Sequence, residues 1–291
     1  AREMRPRLAF EPALWLRLLR AALPIGAANF CLVAYARTDM LMLEWLAGTS
    51  AVGMYAAAFK LVGSLDILPL ALTTPLLPLL SPVIAAGRRE EAGRLYRGAV
   101  TLTCAMAVPV AAGGTALAGE ITALIYGAGY APSAGALRVL SWAAVFHFIL
   151  YVMTTAAVAA GRERLFTAYA ALLALLNVIL DGLLIPPFGF LGASWATLLA
   201  EGLLLAAGAW VLREELGVPE GRGLAAILGA GAAAALLLAW LPAPLLVRLA
   251  AAGVVYAGWL WWSGALPAEL LRVVRAGALG GAGFSPPGSP V

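Results

Sequence analysis

Long apolar segments, separated by short loops, dominate this sequence and limit what it can fold into. A helix that crosses a bilayer needs about 20 apolar residues. Eight segments reach that length: Ala21–Ala47, Val52–Ala86, Ala99–Ala118, Ala134–Ala160, Leu165–Ile185, Leu191–Leu212, Gly223–Leu241 and Leu245–Ala265. They lack the alternation of polar and apolar residues that is typical of barrel strands. The sequence therefore predicts an all-α, polytopic membrane bundle of about eight transmembrane helices.

The composition excludes several classes of function. Of the 291 residues, 63% are apolar and 12% are charged, whereas soluble domains have roughly 45–50% and about 25%. A water-soluble enzyme, a disordered chain and a nucleic-acid-binding domain are therefore excluded. Cys31 and Cys104 lie in apolar stretches and the chain has one histidine, so we expect no disulfide framework, no metal site and no cofactor.

The positions of the basic residues predict the orientation. Fifteen of the 19 Lys and Arg residues lie before the first segment or in every second loop after it, and four intervening loops (48–51, 119–133, 186–190 and 242–244) contain none. By the positive-inside rule, both termini are cytoplasmic and the protein is a multi-pass protein of the cytoplasmic membrane.

Four regions follow from this pattern. Residues 1–20 are expected to be a cytoplasmic or interfacial amphipathic segment, and residues 21–212 a six-helix bundle. Residues 213–266 hold two additional helices, and residues 267–291, rich in Gly, Pro and Ser, form a cytoplasmic tail expected to be disordered. The chain begins without methionine or a signal peptide, so we expect a processed chain or a fragment.

Charged residues inside the apolar segments are the candidate functional groups, because an ionised side chain at the bilayer centre costs about 2.5–3.5 kcal/mol. The hairpin of the first two segments brings Arg37, Asp39 and Lys60 to one level, about 12 Å below its turn. One interpretation is an ion pair that neutralises itself and fixes helix packing. The other is a cationic cavity wall, formed by Arg37 and Lys60 with Asp39 as modulator, that binds an anionic substrate.

Asp66 and Glu201 are candidates for coupling to H⁺ or Na⁺, with helix packing as the alternative for each. His147, Asn177 and Asp181 are interpreted as hydrogen-bonding groups between helices. Prolines in the second segment each remove a helical hydrogen bond, and Pro69, Pro75 and Pro78 are predicted hinges for alternating access.

Several short motifs in a fixed order resemble the polysaccharide repeat-unit flippases, the O-antigen and exopolysaccharide exporters of the multidrug/oligosaccharidyl-lipid/polysaccharide superfamily. They include Arg37-Thr-Asp39-Met-Leu-Met-Leu, Ala51-Val-Gly-Met-Tyr-Ala-Ala-Ala-Phe-Lys60, Leu124-Ile-Tyr-Gly127, Asn177-Val-Ile-Leu-Asp181 and Phe188-Gly-Phe-Leu-Gly-Ala193. The similarity covers about residues 15–212.

The resemblance implies the second bundle of a MATE-like transporter followed by two extra helices, with a first bundle missing or supplied by a second copy. It also implies a membrane transporter that is not an enzyme and that flips undecaprenyl-pyrophosphate-linked oligosaccharides in a bacterial inner membrane, for polysaccharide or O-antigen biosynthesis. Arg37, Lys60 and Asp39 would contact the substrate, and a polysaccharide polymerase is a further expected partner. The alternatives are a cation-coupled multidrug exporter or lipid II flippase of the same superfamily, and a membrane-embedded assembly enzyme or scaffold.

Overall fold

The computed structural model describes residues 12–213, 216–217 and 221–265, and this part of the chain folds into helices without a strand. The ten α-helices are α1 (Pro12–Ala47), α2 (Thr49–Gly63), α3 (Ile67–Ala85), α4 (Arg89–Ala116), α5 (Ala118–Tyr126), α6 (Ser133–Ala159), α7 (Glu163–Phe188), α8 (Phe190–Leu212), α9 (Gly221–Trp240) and α10 (Leu245–Ser263). The predicted all-α class is confirmed.

Seven helical segments among the described residues are long and apolar enough to cross a membrane, the first of them being Thr49–Ala85, which joins α2 and α3. They coincide with the predicted second to eighth spans. The predicted first span lies within α1, a helix of 36 residues, and the described part of the predicted interfacial segment, from Pro12 onward, continues directly into that helix. Residues 1–11 and the predicted tail, 267–291, lie outside the described residues.

Helices α4 and α6 lie at the centre of the bundle. Helix α6 packs against α3, α4 and α8, and α9 packs between α4 and α10. Helix α1 packs against α7. Because the long helices alternate in direction, residues 86–88, 160–162, 213 and 216–217 share one end of the bundle, which we call the arginine-rich end. The turns at 48 and 189, helix α5 and the α9–α10 loop share the opposite end.

Small residues allow this close packing. A Cβ atom added at Gly114 would lie 1.9 Å from Ser141 Oγ, and one at Gly231 would lie 2.3 Å from Val108 Cγ1. At the α7–α8 turn, Gly189 has a φ of +58°, and a Cβ at Gly192 would lie 2.0 Å from the Leu184 carbonyl oxygen. Larger side chains at these positions would force the helices apart.

Polar contacts attach the final helix to the bundle at two levels. Tyr256 Oη on α10 donates to the Ala105 carbonyl oxygen at 2.9 Å. Nearer the opposite end, Arg248 Nη2 donates to Glu120 on α5, and Arg248 Nη1 donates to the Leu238 carbonyl oxygen at 2.8 Å. The last two helices are therefore held to the bundle by hydrogen bonds as well as by apolar packing.

The long second segment is interrupted. A 3₁₀ turn, Ser64–Asp66, separates α2 from α3. Pro69 follows in the first turn of α3, where a proline has no N–H to donate, and the Leu65 carbonyl oxygen accepts from the Ile67 N–H instead. Pro75 and Pro78 lie inside α3. The interruption accounts for the unusual length of the segment, and the hinge role of the three prolines stays a prediction.

Candidate functional site

The structure separates the three charged residues of the first hairpin. Arg37 on α1 and Lys60 on α2 are exposed, whereas Asp39 is 2% exposed. Among the described residues neither Arg37 nor Lys60 forms an ion pair, so the interpretation as a self-neutralising pair finds no contact to support it. The two cations are left available at the surface of membrane helices.

Asp39 belongs to a group of five polar side chains that we call the sealed cluster: Asp39, Tyr55, Asn177, Asp181 and Thr197. All five are at most 3% exposed. Tyr55 Oη donates to Asp39 Oδ2, and Thr197 Oγ1 donates to the same oxygen at 3.2 Å. Asp181 and Asn177, one helical turn apart on α7, lie close enough to Asp39 to interact with it electrostatically. The cluster thus joins α1, α2, α7 and α8.

The sealed cluster holds two carboxyl groups without a basic side chain among its members. Asp39 Oδ1, both Asp181 carboxyl oxygens and the Asn177 amide make no hydrogen bond to any described protein group. Two like charges in a low-dielectric interior cannot both stay ionised without compensation. The oxygen-rich arrangement can therefore take up a proton, or bind a hard cation through carboxylate and amide oxygens.

A second group, the cavity cluster, consists of Asp66, His147, Tyr151 and Glu201. His147 Nδ1 lies 2.9 Å from Glu201 Oε1, and His147 Nε2 lies 3.9 Å from Asp66 Oδ1. The ring of Tyr151 meets the imidazole edge to face, with centroids 5.2 Å apart. These side chains line a cavity of about 290 Å³ between α2, α6 and α8. Here an imidazole stands between two acids and can carry the compensating charge itself.

Thr197 connects the two clusters. It binds Asp39 in the sealed cluster and also lines the cavity, one turn before Glu201 on α8. A small ion or proton in the cavity is therefore separated from Asp39 by one threonine side chain.

Part of this arrangement is predicted from the sequence. Asp39, Asp66 and Glu201 are predicted there as functional groups, whereas Asn177, Asp181 and His147 are interpreted as packing groups. Tyr55 and Thr197 are not among the predicted residues. The i, i+4 spacing of Asn177 and Asp181 was a usable signal, because it places an amide and an acid on one face of an apolar helix. Among the described residues, no group of three or more His, Cys, Asp or Glu side chains could hold a metal ion.

Comparisons with known proteins agree with the bundle architecture. Residues 2–258 match the family described as lipid II flippase MurJ. A probable flippase, AglR, from Haloferax volcanii is 27% identical over 179 residues, which are 60% of this chain and 37% of that protein. The chain thus spans about two fifths of this curated relative.

Solved structures show the same fold. A lipid II flippase MurJ in an inward closed conformation superposes with a TM-score of 0.72 at 14% identity, over 94% of this chain and 58% of that chain. An outward-facing multidrug resistance MATE transporter of the MOP superfamily gives a TM-score of 0.57 at 17% identity, over 89% of this chain and 68% of that chain.

Proposed function

Since the chain belongs to the lipid II flippase MurJ family, we propose that it forms one half of a flippase that moves a lipid-linked saccharide between the leaflets of a bacterial cytoplasmic membrane. The other half is a second bundle, from a longer chain or a second copy, because this chain spans 58% of the MurJ structure. Alternating access then arises from rocking of the two bundles about a shared cavity. Within this proposal, the transported molecule is an undecaprenyl-pyrophosphate-linked oligosaccharide, with lipid II as the alternative.

The exposed pair Arg37 and Lys60 carries this proposal. A basic side chain that faces lipid at this depth costs about 2.5–3.5 kcal/mol, so it normally faces protein or a water-filled cavity. We place the face of α1 and α2 that bears these residues toward the shared cavity, where they bind the pyrophosphate through charge-assisted hydrogen bonds.

The sealed cluster is proposed to supply the coupling. A proton or a monovalent cation that enters from the cavity past Thr197 is shared by Asp39 and Asp181 and compensates one of their two negative charges, and its release restores that charge. Since the cluster joins four helices, the change in charge alters the packing of α1 against α7 and α8. Asp66 and Glu201, in the cavity cluster, stay as candidates for the same role.

Substitution of Lys60 in the full gene product tests the substrate contact. With the protein in proteoliposomes, we expect Lys60→Ala to abolish flipping of a pyrophosphate-linked saccharide and Lys60→Arg to retain part of it, since arginine keeps the charge but changes the geometry. Arg138→Ala, at an exposed basic residue near the start of α6, is the matched control and should leave flipping unchanged.

Normal flipping by Lys60→Ala would overturn the cavity assignment, provided the variant inserts and melts like the native protein. Competition between the oligosaccharide-linked lipid and lipid II, measured on the native protein, decides which one is the substrate. Flipping of neither, together with export of a cationic drug, would favour the multidrug alternative.

A further inference from the structure

Three adjoining depressions at the arginine-rich end of the bundle are used by none of the roles above. The first is an apolar slot between α6, α7 and α8, with a volume of about 240 Å³. The second shares Leu212 with the slot and is lined by Arg89 and Arg162. The third shares Arg89 and Leu216 with the second. Together they form one continuous surface that is apolar at one side and basic at the other.

The slot has the dimensions and lining of a hydrocarbon site. Its walls include Met153, Leu172, Leu204 and Val211. Leu204 lies eight residues before the end of α8, so the slot reaches about 12 Å from the arginine-rich end. That depth falls within one leaflet, since the whole hydrocarbon core is about 30 Å thick.

The basic side has the chemistry of a phosphate site. The third depression is lined by Arg89, Arg94, Arg97 and Arg213 with Glu90 as its acid. Arg97 is fixed in place because its Nη1 donates to the Leu216 carbonyl oxygen at 2.9 Å, and Arg213 lies 5.0 Å from the centroid of the Trp210 ring. Among the described lining residues the basic groups outnumber the acid four to one, which favours an anion.

Tyr169 gives an independent indication of a ligand. Its ring lines the slot, and its buried hydroxyl makes no hydrogen bond to any described protein group. It lies six residues after the first residue of α7, about 9 Å below the end of the helix. A buried hydroxyl without a partner is costly, and an ester carbonyl of a lipid at this depth would accept a hydrogen bond from it.

We propose that this surface is a binding site for an anionic glycerophospholipid of the adjacent leaflet, with one acyl chain in the slot and the phosphate at Arg89, which lines both basic depressions. The slot is formed by α6, α7 and α8, whereas the proposed substrate contacts lie on α1 and α2. The bound lipid is therefore a membrane component that stabilises the bundle, and it is distinct from the transported molecule.

Native mass spectrometry of the detergent-solubilised full gene product, titrated with phosphatidylglycerol or phosphatidylcholine, tests the site. A basic residue near an anionic lipid surface contributes about 1 kcal/mol, so Arg89→Gln should weaken phosphatidylglycerol binding about fivefold. Ala207→Phe, which fills the slot, should weaken it at least as much. Arg88→Gln is the matched control: Arg88 adjoins Arg89 but pairs with Glu91 at 2.7 Å and does not line the depressions.

The proposal is supported if Arg88→Gln changes binding less than twofold and phosphatidylcholine binds at least tenfold more weakly than phosphatidylglycerol. If Arg88→Gln and Arg89→Gln weaken phosphatidylglycerol binding equally, the lipid is attracted by the basic surface in general and not by a defined site, and the proposal is overturned. Displacement of phosphatidylglycerol by a polyprenyl pyrophosphate, blocked by Ala207→Phe, would also overturn it, because the groove would then belong to the transported lipid. Circular dichroism and thermal melting establish that each variant is folded.

Discussion

The sealed cluster and the cavity cluster solve the same electrostatic problem in opposite ways. Each holds two carboxyl groups inside a membrane bundle. In the cavity cluster, His147 stands between Glu201 and Asp66 and faces a cavity of about 290 Å³. In the sealed cluster, Asp39 and Asp181 share hydroxyl and amide neighbours and no base, and they are at most 2% exposed.

The presence of a base in one cluster and not in the other indicates which cluster depends on a bound ion. Because the cavity cluster contains its own base, the negative charge of its carboxylates is already compensated there. Binding of an added cation would therefore release little free energy. A cluster of acids with hydroxyl donors depends on a proton or cation from outside, and its charge state is then coupled to whatever delivers that ion. The sealed cluster is therefore the stronger candidate for coupling, and three experiments examine the contrast.

The largest expected effect comes from neutralising the sealed cluster. Asp39→Asn combined with Asp181→Asn should reduce flipping in proteoliposomes to the protein-free background, because no titratable acid is left to bind the ion. The melting temperature in detergent should not fall, since removing uncompensated buried charge is often neutral or stabilising.

Asp66→Asn is the matched variant for this test, because it removes an acid from the cavity cluster instead. It should keep at least half of the native flipping rate. A double variant that flips normally, together with an inactive Asp66→Asn variant, would move the coupling role to the cavity cluster.

An intermediate effect is expected when His147 is removed. His147→Gln removes the contact between the imidazole and Glu201, which is 3% exposed, and a hydrogen bond to a charged group contributes about 1.5–3 kcal/mol. We expect a loss of that size in the free energy of unfolding, measured by titration with a denaturing detergent.

The double variant His147→Gln/Glu201→Gln should regain most of this loss, since both charges are then absent. If the two substitutions are instead additive, the imidazole does not compensate Glu201 and the contrast between the clusters is wrong.

The smallest effect is expected at the threonine that links the clusters. Thr197→Val removes its hydrogen bonds to Asp39 and Tyr55 and should cost about 1 kcal/mol of unfolding free energy. Thr103→Val is the matched control, because buried Thr103 bonds to the Ala99 carbonyl oxygen of its own helix at 2.8 Å. Equal losses in the two variants would show that Thr197 contributes only a local helix contact.

The sequence determines the fold class because the apolar segments and the basic loops are both periodic signals along the chain. The seven spans from Thr49 to Ser263 therefore overlap their predicted ranges, although the span at Arg89–Ala116 begins ten residues before the predicted Ala99. The site was harder to predict, because the direction in which a side chain points is a property of helix packing. Asp39 and Lys60 were placed at one level, yet Asp39 is buried toward α7 and α8 while Lys60 is exposed.

The contact of Asn177 and Asp181 with Asp39 could not be predicted from the sequence for the same reason. Their one-turn spacing places them on one face of α7, but the approach of α7 to Asp39 on α1 depends on contacts across more than 130 residues. A pattern within one helix contains no information on which of the other helices it meets.

The contacts of α10 with α4 and α5 have a consequence for how the protein is made. Glu120 and the Ala105 carbonyl oxygen leave the ribosome 128 and 151 residues before the partners that bind them, Arg248 and Tyr256. Throughout that interval, α4 and α5 must enter the bilayer without these hydrogen bonds. These contacts are thus completed only after residue 256 has been made, and a chain that stops before residue 248 leaves Glu120 without its arginine.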